Sequence, residues 1–390
     1  MNAGLVSELA IAEPPVDAVA VHGAGPRPRA EFDRAEALHW LITVMAVPAL
    51  LRSRRVQAEV TAQTEAILAW LTAISPDVLA QLLNEPDLRV WLADLRAAAA
   101  ASAGDVESVA CVLPLLLIER LAAIDARRCW IVRIPADRRF APLDWPSRIR
   151  SSTGEPFVAS VETRWEAFPR FSRNDFRLEG RTRVADIELL DPDSFPELAE
   201  AKCPDERPCA LDAPTMETVL RSGFDFLAEY WPESVADVHP RCRAVLPIFA
   251  PGAHIYSASA AELPLIIKLT LRADESPVRL AETLVHETAH GKLESLWDIA
   301  PLLESADDAP LYHHPWRPDP RPLRGVFLAV HAFTNVTLLY RRAAEADSRG
   351  AAHDLAVLET QVAEGLATLE EHAAFTPTGA SVFDRLRQSL

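Results

Sequence analysis

The chain has 390 residues, 49% hydrophobic and 24% charged, and its 56 acidic against 39 basic residues leave a formal charge of −17. That length holds two domains or one large one with a substantial core. The acidity argues against a nucleic-acid surface, which needs basic patches, and better suits a basic or neutral peptide partner.

In chain order, residues 1–31 carry acids and prolines where a secretory signal would be basic and apolar, so a flexible N-terminus is expected. Residues 32–127 are predicted to be a helical domain, because apolar positions recur at helical spacing over Ala35–Leu51, Gln57–Ala73 and Val106–Leu121, with breaks at Ser75-Pro76 and Asn84-Glu85-Pro86. The longest uninterrupted apolar stretch, Val109–Ile118, is too short to span a bilayer. Five cysteines, at 111, 129, 203, 209 and 242, are odd in number and include no CxxC pair. Only Cys203 and Cys209 are close enough in sequence to suggest a loop disulfide or metal clip. A cytoplasmic protein without a membrane segment is expected.

Residues 128–262 read as a mixed strand and helix region: strands over Trp130–Ile134, Phe157–Val161 and Phe176–Leu190, a helix over Ala213–Glu229 and a strand over Ala244–Ile248. Residues 263–390 form a largely helical catalytic region. Pro264–Leu271 is a short apolar strand, and Asp274-Glu275-Ser276-Pro277 starts a helix that runs from Val278 to about Trp297. Its apolar stripes, Ala281, Leu284, Val285, Ala289 and Leu293, predict a largely buried helix. Gly325–Tyr340 is apolar almost all the way round, hence buried, and helices over Ala351–Ala373 and Gly379–Leu390 close the chain.

On the first of these helices, His286-Glu287-Thr288-Ala289-His290 puts two imidazoles one turn apart on one face, with the acid Glu287 beside whatever they hold. This spacing chelates a divalent metal; the competing reading is two histidines satisfied by hydrogen bonds on a core helix. A catalytic metal usually takes a third protein ligand. Glu294 lies about 12 Å along the axis from His286, too far to share one ion with it, and there is no metzincin extension after His290. His331 is the better candidate: with Thr334 and Asn335 it forms the polar stripe of the second buried helix. The alternative for His331 is a core histidine bonded to a backbone carbonyl.

Between the helices, the prolines of His313–Gly325 forbid a regular helix, and Arg317, Arg321 and Arg324 offer three guanidiniums suited to a carboxylate. With three lysines among 39 basic residues a lone arginine means little here; the cluster beside a metal motif means more.

Leu284-Val285-His286-Glu287-Thr288-Ala289-His290-Gly291-Lys292-Leu293, then Trp316-Arg317-Pro318-Asp319-Pro320-Arg321-Pro322-Leu323-Arg324-Gly325, then His331-Ala332-Phe333 together resemble the HExxH-type peptide β-hydroxylases, first grouped as HExxH-motif peptide-modification proteins. The likeness spans about 80 residues, from Leu263 to Arg342. It implies an Fe(II)- and 2-oxoglutarate-dependent dioxygenase that uses O2 to hydroxylate the β-carbon of a residue in a ribosomally synthesised precursor peptide, in natural-product biosynthesis. It further implies His286, His290 and His331 as iron ligands, one of Arg317, Arg321 and Arg324 on 2-oxoglutarate, and Glu287 as a neighbouring group with no water-activating duty. The other readings are a zinc metallopeptidase, with Glu287 as general base, and a catalytically silent peptide-binding protein. The expected fold is a predominantly helical α+β protein with its metal between buried helices, not the double-stranded β-helix (cupin) barrel usual for 2-oxoglutarate oxygenases.

Overall fold

The computed structural model describes residues 16–23, 25–53, 56, 58–74, 78–79, 82, 85–100, 105–110, 113, 117, 149–151, 176–178, 183–184, 187–190, 207–249, 257–259, 265–305, 311–346 and 351–390. It is predominantly helical α+β with a small mixed sheet and, among the described residues, no closed barrel. The expected strands at 130–134 and 157–161 and the helix end beyond 117 lie outside the described residues, as does Cys203.

The N-terminal part contains α1 (Val16–Val19), α2 (Pro26–Ser53), α3 (Ala58–Ala73), α4 (Pro86–Ala100) and α5 (Asp105–Ala110). Helix α2 starts ahead of the predicted Ala35 because Pro26 and Pro28 sit in its first turn, where the missing N–H groups have no intrahelical partner to lose. Leu51, Ile67, Leu71, Trp91, Leu92 and Val106 close a core among these helices, and the Trp91 indole donates to the Val109 carbonyl at 2.7 Å. Within the segment expected to be flexible through residue 31, Ala18, Val19, Ala20 and His22 are buried, while residues 26–31 form the first turns of α2 with no buried side chain among those described. The small apolar residues Ala18, Val19 and Ala20 fill space between helices that come much later in the chain.

A two-stranded pair, β1 (Ile149–Ser151) with β2 (Phe176–Leu178), stands apart from the main sheet. The main sheet has the order β3 (Arg183–Val184), β4 (Ile187–Leu189), β6 (Ala244–Phe249), β8 (Ile266–Thr270), β7 (Ser257–Ala258), with β5 (Arg207–Pro208) also on β6. β4, β6 and β8 are parallel and buried along nearly their whole length, which is why they read as continuous apolar runs. Helices α6 (Ala213–Tyr230) and α7 (Pro232–Arg241) connect β5 to β6, α6 being capped by Asp212, whose carboxylate accepts from Thr215 N at 2.9 Å. Leu265 enters β8 in the left-handed region (φ 67°), and its carbonyl accepts from Arg243 and Ala244.

Helix α8 (Pro277–Ile299) carries the histidine motif. Its N-terminal half packs Leu280, Ala281, Leu284 and Val285 against α6 and the sheet. Leu293 and Leu296 enter a second cluster with α9 (Leu323–Glu345), α10 (Ala351–His372) and α11 (Pro377–Ser389). The proline-rich segment before α9 forms the hairpin β9 (Tyr312–His314) and β10 (Arg317–Arg321), whose register is irregular where Pro318 and Pro320 cannot donate. Helix α9 is long and apolar enough to cross a membrane, but 67% of that apolar window is buried inside the protein, as befits a core helix.

The N-terminal helices are tied to the motif-bearing half by Glu36 of α2. It receives Arg89 of α4 at 3.1 Å and both Nη atoms of Arg241 at 3.2 and 2.9 Å, with all three side chains buried. Burial alone would raise the Glu36 carboxyl, but the two guanidiniums outweigh it and hold it at about 2. Glu36→Gln leaves two interior cations short of a counter-charge and is expected to cost about 3–5 kcal/mol of stability. Urea unfolding of the variant measures it; a loss under about 1 kcal/mol would show the triad to be solvated.

Candidate metal centre

His286 and His290 project from α8 one turn apart, and their Nε2 atoms lie 3.0 Å apart. Two imidazoles that close either share one proton or aim both lone pairs at one cation about 2.0–2.1 Å from each. The His286 ring is held edge-on against Phe333 of α9, centroids 4.7 Å apart, and Phe333 is stacked on Trp316 of the hairpin at 4.6 Å. Gly365 of α10 leaves the space this indole occupies, since a Cβ there would come within 2.8 Å of it. Burial lowers both imidazoles, His290 to about 4, so both are uncharged at neutral pH, the form that binds metal.

Glu287 is 5% exposed and fixed by two hydroxyls: Ser257 Oγ donates to Oε1 and Ser259 Oγ to Oε2, each at 2.6 Å. Burial works against its charge, but the flanking histidines and these hydroxyls lower the carboxyl overall. At neutral pH, where the histidines are uncharged, only the hydroxyl donors remain. Ser257 lies on edge strand β7 and Ser259 just past its end; sequence reasoning missed this strand because two residues are too short to register. Ser257-Ala258-Ser259 does carry the period-two signal that puts two hydroxyls on one face.

The pair and Glu287 line a cavity of about 400 Å³. Its walls include Ser257, Ser259, Leu265, Gly291, Glu294, Arg317 and Leu328, and it reaches Glu36, Trp40, Arg89 and Arg241 at the junction with the N-terminal helices. Of the three hairpin-segment arginines, only Arg317 lines it. Arg317 pairs with Asp319 at 2.9 Å and Arg321 with the same carboxylate at 2.7 Å. Arg324 pairs with Glu294 and lies over the Trp297 ring.

His331 is not brought to the pair. Its ring is fully buried and Nε2 donates to the Val19 carbonyl at 2.8 Å, the core-histidine alternative. Among the described residues no three His, Cys, Asp or Glu side chains group as a metal site. His331 is held to about 3, chiefly by burial. Behind α8 a further interior histidine, His22, is lowered for the same reason, and Lys292 is pulled down to about 8 by burial against the opposing charge of Asp237, 3.7 Å away.

No known protein family matches this chain, and no curated protein is significantly similar to it in sequence.

His22, His286, His290 and His331 all have folded values below the ordinary 6.5. An unfolded chain therefore takes up protons below about pH 6.5 that the fold refuses, so stability is full above that pH and falls as pH drops from there towards 4. Urea midpoints measured from pH 7 down to pH 4.5 should decline below 6.5; a level midpoint down to pH 5 would show the interior histidines to be hydrated.

Proposed function

We propose that this chain is an Fe(II)- and 2-oxoglutarate-dependent oxygenase that hydroxylates the β-carbon of a residue in a ribosomally synthesised peptide. The observation that carries it is the facing His286 and His290 nitrogens on the cavity wall beside a Glu287 whose two oxygens already accept from Ser257 and Ser259. The two histidines would hold the metal, which when bound supplies the redox chemistry of dioxygen and 2-oxoglutarate. Burial keeps them unprotonated, and Phe333 holds the His286 ring. Arg317 stands where a carboxylate in the cavity would meet a guanidinium, and Trp40 and Leu328 offer apolar wall to a side chain. The sequence resemblance supports the same reading and names the peptide as substrate.

The zinc metallopeptidase reading keeps one observation in its favour: Glu287 lines the same cavity as the pair. A general base must be free to take a proton from water, and here both oxygens are engaged by serine hydroxyls, which favours a fixed charge over a proton carrier.

Incubation with iron(II), 2-oxoglutarate, oxygen and a ribosomal precursor peptide of the kind the resemblance implies should give a peptide heavier by one oxygen atom, with one succinate formed per turnover. Fragments cut at an internal amide, supported by zinc and indifferent to 2-oxoglutarate, would establish the peptidase instead. A second expectation separates the arginines. Arg317→Leu should weaken 2-oxoglutarate binding at least tenfold, whereas Arg321→Leu and Arg324→Leu change it less than threefold, orders of magnitude set by loss of one charge-assisted pair. Anaerobic titration of the iron(II) protein reads this, and equal effects at all three positions would remove Arg317 as the anchor.

A further inference from the structure

The buried polar stripe of α9 has a partner in the backbone of residues 19–23. His331 Nε2 donates to the Val19 carbonyl at 2.8 Å, and Asn335 Nδ2 donates to the Ala20 carbonyl at 3.3 Å. Asn335 Oδ1 accepts the His22 amide and Asp237 Oδ2 the Gly23 amide, each at 2.6 Å. Three side chains from two helices thus hold four backbone groups of one short segment. The His22 ring reaches α8: Nε2 donates to the Val285 carbonyl at 3.3 Å and lies 3.5 Å from Thr288 Oγ1. Val285 immediately precedes the first histidine of the motif, and Thr288 lies between the two.

The segment turns at Gly23, whose φ of 78° favours glycine and where a Cβ would come within 2.8 Å of the Trp231 indole nitrogen. It then enters α2, whose Glu36 and Trp40 line the cavity on the motif side of α8. One stretch of chain therefore touches the motif helix from behind and walls the cavity in front of it.

We propose that residues 16–23 are a positioning strap for the metal pair, with His22 and Asn335 as positioning residues that fix the rotation of α8 and hence where the His286 and His290 nitrogens meet. The inference rests on the metal-binding reading. Side-chain tips lie about 5–6 Å from a helix axis, so a rotation of about 10° moves a ring nitrogen by about 1 Å, several times the tolerance of roughly 0.2 Å in a metal–ligand distance. Because coupling between two sites is reciprocal, a strap that strengthens metal binding must itself be held more tightly when metal is bound.

The test uses the full-length protein with cobalt(II) as probe. Visible-absorption titrations should show at least tenfold weaker binding in His22→Ala and in Asn335→Ala. Arg385→Ala, which removes only an exposed ion pair to Asp17 at the start of the strap, should bind as the parent does. In the parent protein, the His22 and Gly23 amides should exchange with deuterium at least tenfold more slowly when cobalt is bound. Folded His22→Ala and Asn335→Ala proteins that bind cobalt as tightly as the parent, or strap amides indifferent to the metal, overturn the proposal. If those two variants do not fold, the amide measurement decides alone. A parent protein that takes up no cobalt removes the metal reading itself and this inference with it.

Discussion

Lys292 is the constraint around which the motif helix is organised. Two residues past the second histidine, it is 2% exposed, and a buried ammonium demands a counter-charge. Asp237 of α7 supplies it at 3.7 Å, and the same carboxylate oxygen accepts the Gly23 amide. This one oxygen fixes α7, α8 and the N-terminal segment relative to one another. The back of α8 is thereby committed to the interior, and the opposite side, with its two histidines, is left to form the cavity wall.

Helix α9 obeys the same accounting of polar groups. It is apolar on nearly every side, so its few polar side chains must be met by groups from elsewhere. Segment 19–23 meets His331 and Asn335 with backbone, which explains why a stretch of small residues near the N-terminus is buried at all. It also accounts for the His331 Nε2 proton, which is committed to the Val19 carbonyl.

Much of this was legible in the sequence. Helices α6, α8, α9 and α10 and the strands β6 and β8 lie within a few residues of where periodicity and punctuation put them, because each is long or uniformly buried and ends at a cap or a proline. The one-turn spacing of His286 and His290 needed no tertiary information to bring the rings together. What was not legible depends on distant contacts. Helix α7 hides behind Pro240, tolerated only in its last turn, and β5 and β7 are too short for any period to show. His331 was ambiguous between metal and carbonyl, and the Val19 carbonyl that its Nε2 meets comes from a segment no local pattern could place. Three arginines in one segment look alike until the hairpin turns Arg317 alone towards the cavity.

The charges around the cavity are largely settled in pairs: Glu36 with Arg89 and Arg241, Glu294 with Arg324, Arg317 with Asp319. Glu287 differs. Among the described residues its partners are two neutral hydroxyls and two histidines whose own burial keeps them uncharged at pH 7. Hydroxyls orient a carboxylate and lower its protonation, but they do not neutralise it, and an interior charge without a counter-ion is unfavourable. A divalent cation held by the two facing imidazoles would lie next to this carboxylate and provide that counter-charge. Ser257 and Ser259 meanwhile hold this carboxylate in one orientation at the cavity wall, beside the two facing imidazoles.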